Sequence, residues 1–318
     1  MRVIHIVAHG VDVDGLASHS ILEIYAKKRG IKTIHCFVDY QDVGSVLENI
    51  SRIIKSDDEV IIADIGYEKE LVYSFLNRYR EMAKITSWFD HHKWEDRAKE
   101  EAKKILKEVI IDESRCAAEI LKERFLPDDR FVQELASIAR VHDFYDFESG
   151  IYEHARKLQD VIVSGYSKEA IVKQLSSGIF WIENFETVHK KYREVIRPNA
   201  IAEMDSTIMK YSVVTSDNIV ASVTAVFVPN ILESKDIRAY LMLNEDKKDE
   251  RDVIIAIWSN GRIAYEGRSE KFRKILEKIN ENFKGGGRGL AGGATYSESV
   301  SMENYKICFD EIIKAIKR

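Results

Sequence analysis

Cysteine and proline are both scarce in this 318-residue chain, three of each. Cys36, Cys116 and Cys308 lie far apart with no CxxC pair, which excludes a disulfide framework and a zinc ribbon and leaves core or surface thiols. Long apolar runs are missing too: Val60 to Ile65 and Val253 to Trp258 are strand-sized, far short of the ~20 residues of a membrane span. Met1-Arg2 passes straight into Val3-Ile4-His5-Ile6-Val7 with no basic leader and small-residue cleavage site, so a soluble, cytoplasmic protein with no membrane partner is expected. Nor is there a large excess of one charge. A net charge of −5 disfavours bulk attachment to long duplex DNA and leaves room for a local basic groove. Internal repeats and low-complexity segments are absent from the sequence.

What remains is enough for two cores: 45% of residues are hydrophobic, and the length suits two domains of ~150 residues. The 32% of charged residues, rich in Lys and Glu, combined with little proline, is a balance seen in heat-adapted proteins. Short apolar strands at residues 3–8, 32–38, 60–65 and 85–89 alternate with helical stretches at 16–28, 42–53 and 68–82, the pattern of a parallel sheet covered on both faces. From about 115 to 197 the pattern is helical, with a long helix from Trp181 expected to stop at Pro198. Strand-like runs return at 213–215, 219–227, 238–243 and 253–258, followed by a helix at 270–283, a glycine loop, a short strand near Thr295 and a closing helix at 302–317. The fold class is therefore α/β, with an N-terminal domain over 1–197, a linker over 198–210 and a smaller C-terminal α/β domain over 211–318.

Ligands of parallel sheets bind beyond the carboxyl ends of the strands. In this chain His9, Asp12 and Asp14 follow the first strand, Asp64 ends another, and Asp90-His91-His92 closes a third, with Asp143 further on and His142 and Asp146 close enough to compete with it. Asp-x-Asp-Gly at 12–15 could be a plain Asx turn and helix cap, and Asp64 could cap a helix starting near Glu68. As a group, however, imidazoles and carboxylates suit two divalent metals, whose charge would neutralise Asp12, Asp14, Asp64 and Asp143. Asp64 would be the carboxylate the two ions share. Of the adjacent His91 and His92, one can ligate while the other faces substrate. Mixed His and Asp ligation leans toward Mn²⁺, with Mg²⁺ or Co²⁺ as substitutes, and a metal pair suits hydrolysis of phosphate bonds.

Residues 285–293, Gly285-Gly286-Gly287-Arg288-Gly289-Leu290-Ala291-Gly292-Gly293, hold six glycines in nine positions. Backbone amides in such a loop can approach an anion, and Arg288 can fork onto a phosphate. The loop lacks the Gly-Lys-Ser/Thr ending of a P-loop. A flexible surface turn is the plainer reading. Tyr265 and Tyr296 are candidates for stacking a base near Arg288, or for the core.

Together these motifs resemble the DHH phosphoesterase superfamily, in its branch with a C-terminal DHHA1 substrate-binding domain, over nearly the whole chain. The resemblance implies an active site in the cleft between a DHH domain and a DHHA1 domain. It implies that His9, Asp12 and Asp64 hold one Mn²⁺ and that Asp14, Asp64, His91 and Asp143 hold the other. Asp90 would orient a ligand and His92 would face the scissile phosphate, giving Asp64, Asp90, His91 and His92 the catalytic roles. His92, Gly286, Gly287, Arg288 and Gly292 would bind substrate, Arg288 standing where the family usually has His. Two residues separate His9 from Asp12, whereas many members have one or three.

Short two-domain members resemble nanoRNases and linear or cyclic dinucleotide phosphodiesterases, related to RecJ exonucleases. The implied function is hydrolysis of short single-stranded oligonucleotides or dinucleotides to nucleoside 5′-monophosphates, in a monomer or homodimer. The alternatives are a pyrophosphatase or polyphosphatase, a small phosphomonoesterase, and a non-catalytic nucleotide-binding or scaffold protein.

Overall fold

The computed structural model describes residues 2–39, 42–66, 78–232, 237, 252–283, 285–288 and 290–317. The chain forms two compact units, Met1–Tyr192 and Arg193–Arg318.

In the first unit, β1 (Val3–His9), β2 (Lys32–Val38), β3 (Glu59–Ala63), β4 (Thr86–Asp90) and β5 (Glu108–Ile111) make one sheet in the order β2-β1-β3-β4-β5. Every pairing is parallel. Alternate side chains explain why both faces are covered. Ile4, Ile6 and Ala8 of β1, with Ile61, Ala63 and Phe89, pack into one core; Val7, Val60, Ile62 and Trp88 pack into a second on the opposite face. The first core receives α1 (Val13–Lys28) and helices of the following helical run, α5 (Ala117–Phe125), α6 (Arg130–Asp143), α7 (Tyr152–Val163), α8 (Lys168–Leu175) and α9 (Glu183–Lys191). The second is closed by α2 (Val43–Ile53), the short α3 (Arg80–Ala83) and α4 (Asp96–Ile105). Because β1 lies between β2 and β3, the chain leaves it in one direction and returns on its other side. The carboxyl ends of β1 and β3 thus flank a topological switch point, where open α/β sheets bind their ligands.

The second unit holds a six-stranded sheet in the order β10-β11-β9-β8-β7-β6. Its strands are β6 (Met209–Val214), β7 (Val220–Val228), β8 (Val253–Trp258), β9 (Arg262–Gly267), β10 (Gly286–Arg288) and β11 (Ala291–Thr295). Only the pairing of β7 with β8 is parallel. One face packs on α11 (Arg273–Asn282) and α12 (Tyr305–Lys317), the other on α10 (Arg197–Ser206).

Three expectations change. The stretch 198–210, read as a linker, is mostly α10 and opens the second unit, the divide falling at Tyr192. The helix expected to end at Pro198 continues past it: a π-helical turn at Tyr192–Ile196 intervenes and Pro198 falls in the first turn of α10, where a missing N–H leaves no helical bond unmade. The glycine loop is a β-hairpin, pairing Gly286 with Gly293, Gly287 with Gly292 and Arg288 with Ala291. Most of the helix expected at 68–82 and all of the strand expected at 238–243 lie outside the described residues.

Candidate metal centre

The loop between β1 and α1 is fixed by its own polar groups. Asp12 caps α1, its Oδ1 accepting from Gly15 N at 2.9 Å, while its Oδ2 lies 2.6 Å from His9 Nδ1. Gly15 can be only glycine here, because a Cβ would stand 2.0 Å from the His9 carbonyl oxygen. Gln159 of α7 donates to Val11 O at 3.0 Å and holds the loop from outside. Asp14, 1% exposed, accepts from Ala117 N and Ala118 N, both at 2.8 Å, at the start of α5. That helix end favours an anion, which keeps a buried carboxylate in position.

Asp64 follows β3 with φ 53°, in the left-handed region that non-glycine residues rarely adopt. The turn is pinned by Asp64 N donating to Phe89 O at 3.1 Å and by the Trp88 indole donating to Ile65 O at 2.9 Å. It delivers a carboxylate, 2% exposed, whose Oδ2 has no hydrogen-bond partner.

His91 stands over the same point. Its Nε2, also buried without a hydrogen-bond partner, lies 3.3 Å from Asp64 Oδ1 and 3.8 Å from Asp14 Oδ2, and its Nδ1 is 3.5 Å from Asp143 Oδ2. Three groups of donor atoms result, each with its atoms within 4.8 Å of one another: Asp64, Asp90, His91 and His92, and two further sets, His9, Asp12 and Asp64, and Asp14, His91 and Asp143. Asp64 faces both of these sets, through Oδ2 at 3.8 Å from His9 and Oδ1 at 3.3 Å from His91. Asp143, at the last turn of α6, stands against His91; Asp146, two turn residues beyond α6, makes no such approach among the described contacts. A buried carboxylate oxygen and a buried imidazole nitrogen, each without a hydrogen-bond partner, fit cations as the missing partners.

Asp90 is fully buried and engaged on both oxygens, accepting from Trp94 Nε1 at 2.7 Å and lying 2.8 Å from His92 Nδ1. It therefore orients His92, the most exposed of these side chains.

The electrostatics are those of crowded anions. Burial, then Asp12, Asp14, Asp143 and Asp90, pushes the Asp64 carboxyl well above the usual range. Burial and the charges of Asp14 and Asp12 push Asp143 up to about 8. Asp12 goes the other way: burial would raise it, but the adjoining His9 outweighs burial and holds it low. His91 is lowered by burial, whereas His92 is raised because Asp90 overcomes its burial.

One contributor was not picked out from sequence. Asp39, just after β2, has Oδ1 4.0 Å from His9 Nε2, and its place beyond a strand end was the available signal. His142, which the sequence offers with Asp146 as a competitor of Asp143, carries a charge that also lowers Asp12.

In the second unit, Tyr265 and Tyr296 are buried in the core, bonded to Asn280 and Glu311, and do not offer a face to a base. Gly292 has a packing reason: a Cβ there would lie 2.1 Å from the Tyr265 hydroxyl. A Cβ on Gly286 would meet nothing within 4 Å. The side chain of Arg288 lies outside the described residues.

No protein-family model matches the sequence, and no curated protein does. Solved structures do match over nearly the whole chain. Exonuclease RecJ bound to manganese is 14% identical, with 99% of this chain and 90% of that one covered and a TM-score of 0.59. CDC45 from Entamoeba histolytica is 8% identical, with 100% and 96% covered and a TM-score of 0.56. An exopolyphosphatase-related protein from Bacteroides fragilis is 12% identical, with 99% and 92% covered and a TM-score of 0.51. The chain shares the two-unit α/β fold of these structures, exonuclease RecJ among them. Among the described residues no helix is long and apolar enough to cross a membrane.

Proposed function

We propose that the protein is a metal-dependent phosphodiesterase that hydrolyses short oligonucleotides or dinucleotides to nucleoside 5′-monophosphates. The observation that carries this reading is the two buried atoms without a hydrogen-bond partner, Asp64 Oδ2 toward His9 and His91 Nε2 beside Asp64 Oδ1, inside two donor sets at the switch point of a parallel sheet. His9, Asp12 and Asp64 would hold one divalent ion, and Asp14, Asp64, His91 and Asp143 the second. When bound, the ions supply Lewis-acid charge that acidifies water and stabilises negative charge on phosphoryl oxygens. Imidazole nitrogen in each set favours Mn²⁺ or Co²⁺ over Mg²⁺.

The chain's own residues do the rest. Asp64, held by its strained turn, keeps the two sets in register with no reorganisation when substrate arrives. Asp90 fixes the ring of His92 and favours its protonated form, so that His92 can donate to a phosphate oxygen or to the leaving oxygen. Gly286, Gly287, Arg288 and Gly292 are assigned to substrate phosphate on the strength of the motif resemblance.

The test is product formation from labelled RNA of two to five nucleotides, alongside 24-mer RNA, pyrophosphate and polyphosphate, in Mn²⁺ and in chelator. Mn²⁺-dependent release of mononucleotides from the short series is expected. Cleavage of inorganic phosphates alone would replace this reading with a pyrophosphatase or polyphosphatase, and silence on every substrate despite bound metal would replace it with a nucleotide-binding protein.

A further inference from the structure

Directly after Asp143 the chain exposes three aromatic rings that the fold has every reason to bury: Phe144 at 40%, Tyr145 at 53% and Phe147 at 66%. They belong to one rim. The Phe144 ring centroid is 6.3 Å from that of His91, Tyr145 is 6.1 Å from Phe147, and Phe147 stands edge-on to Tyr152 at 5.0 Å. The guanidinium of Arg140 lies 4.7 Å over the Phe144 ring and is itself fixed by Glu119 and the Ser114 carbonyl.

The backbone of the turn is tied by hydrogen bonds. Tyr145 N donates to His142 O at 3.3 Å, Asp146 N to Val141 O at 3.1 Å and Phe147 N to Tyr145 O at 2.9 Å. Tyr145 takes φ 54°, a conformation rare for a bulky residue, and the turn that imposes it is the one that turns these rings outward. A turn whose backbone is already fixed does not have to be ordered again on binding.

We propose that Phe144, Tyr145 and Phe147 form the platform on which a base of the nucleotide substrate stacks beside the metal centre, an inference that rests on the phosphodiesterase reading above. The chemistry chooses the occupant. A polyphosphate has no π-face and gains nothing from an apolar rim, whereas every nucleobase does, with or without sequence preference. The rim thereby makes the site selective for nucleotides over inorganic phosphates, and its tolerance of any base suits an enzyme for short mixed-sequence fragments.

The experiment compares a trinucleotide with the same trinucleotide carrying an abasic ribose at the terminal position. It uses wild type, Phe147→Ala, Tyr145→Asn, which tolerates positive φ, and Phe147→Tyr. Loss of one stacked base corresponds to a roughly 5- to 100-fold rise in KM. That rise is expected for the base-bearing substrate in Phe147→Ala and Tyr145→Asn, with kcat and the abasic substrate unchanged and with Phe147→Tyr close to wild type. Equal effects on both substrates, or none on either, would overturn the platform and leave the rim to a protein partner. Binding is read separately with 2-aminopurine nucleoside 5′-monophosphate, which has no diester to cleave, in Mg²⁺. Fluorescence quenching in wild type that weakens in both variants supports the platform even if no diester is hydrolysed; quenching that survives in both overturns it even if hydrolysis is robust.

Discussion

The two ends of the first sheet are made of the same ingredients and do opposite things with them. At the amino end, His5 of β1 faces Asp58, just ahead of β3, with Nε2 and Oδ2 3.8 Å apart and both residues buried. Four residues along the same strand, at the carboxyl end, His9 faces Asp12 and Asp64. Asp58 is answered by the chain itself: burial would raise its pKa, but Lys55 N at 3.0 Å and Val3 N at 2.9 Å hold it low. At the carboxyl end burial, and then Asp12, Asp14, Asp143 and Asp90, drive Asp64 up. A buried His–Asp pair is therefore no mark of a site by itself. Carboxylates that raise one another's pKa without an answering donor are, because folding alone gives no reason to gather them.

The sharpest way to break that contrast is at Asp64. Asp64→Asn removes the carboxylate facing both donor sets and should abolish divalent binding and hydrolysis alike, while raising the Tm of the chelated protein at alkaline pH, where the Asp64 carboxyl would otherwise be forced to ionise among like charges. Calorimetric titration with Mn²⁺, the RNA assay and thermal unfolding check the three parts. Wild-type turnover in this variant would dismiss Asp64 as the shared ligand.

Next in size is Asp90. Asp90→Asn keeps the shape but makes one of its two oxygens a donor, conflicting with Trp94 or His92, and a partner of this kind commonly accounts for ~10–100-fold in activity. The loss should fall on kcat, with Mn²⁺ affinity nearly unchanged. A parallel loss of metal affinity would make Asp90 a ligand.

How much of this was legible beforehand follows from the kind of signal each feature leaves. The parallel sheet could be read because buried strands are continuous apolar runs, and the site because Asp64 and Asp90 each end such a run, where a charge has no packing role. Asp39 escaped notice because a lone Asp after a strand is ordinary until a histidine from another strand lies beside it. The stacking candidates were sought at Tyr265 and Tyr296, near the glycines, yet both are buried, while the exposed rings follow Asp143. Sequence cannot say which aromatic is wet, since Tyr is equally at home in either setting. Pro198 misled for a related reason: it stops a helix in its interior but not in the first turn, and only the π-helical turn before it decides which applies.

The crowded end should also reveal itself through pH. Asp143 titrates at about 8 in the folded chain and near ~4 unfolded, so between those values the folded state holds a proton that the unfolded chain has released. Its contribution to stability is complete below the unfolded value and is lost as pH rises through the folded one. The Tm of chelated protein should therefore fall from about pH 5 to about pH 8.5, and saturating Mn²⁺, which binds the deprotonated folded site, should abolish or reverse the fall. A flat profile without metal would mean that the carboxylates are not crowded in solution.

The smallest effect on activity belongs to the amino end, and it completes the contrast. Asp58→Ala leaves two backbone N–H groups, those of Val3 and Lys55, without their acceptor in a partly buried setting, at about 1 kcal/mol of stability. Asp58 contributes to neither donor set, so Mn²⁺ affinity and hydrolysis per folded molecule should match wild type. Thermal unfolding together with the RNA assay separates the two quantities. If Asp58→Ala lost metal binding at unchanged stability, the two ends of the sheet would be coupled through β1 rather than independent, and the strand would carry strain from His5 to His9. If instead stability alone falls, four residues of one strand divide a pair that serves the fold from a cluster that serves the reaction.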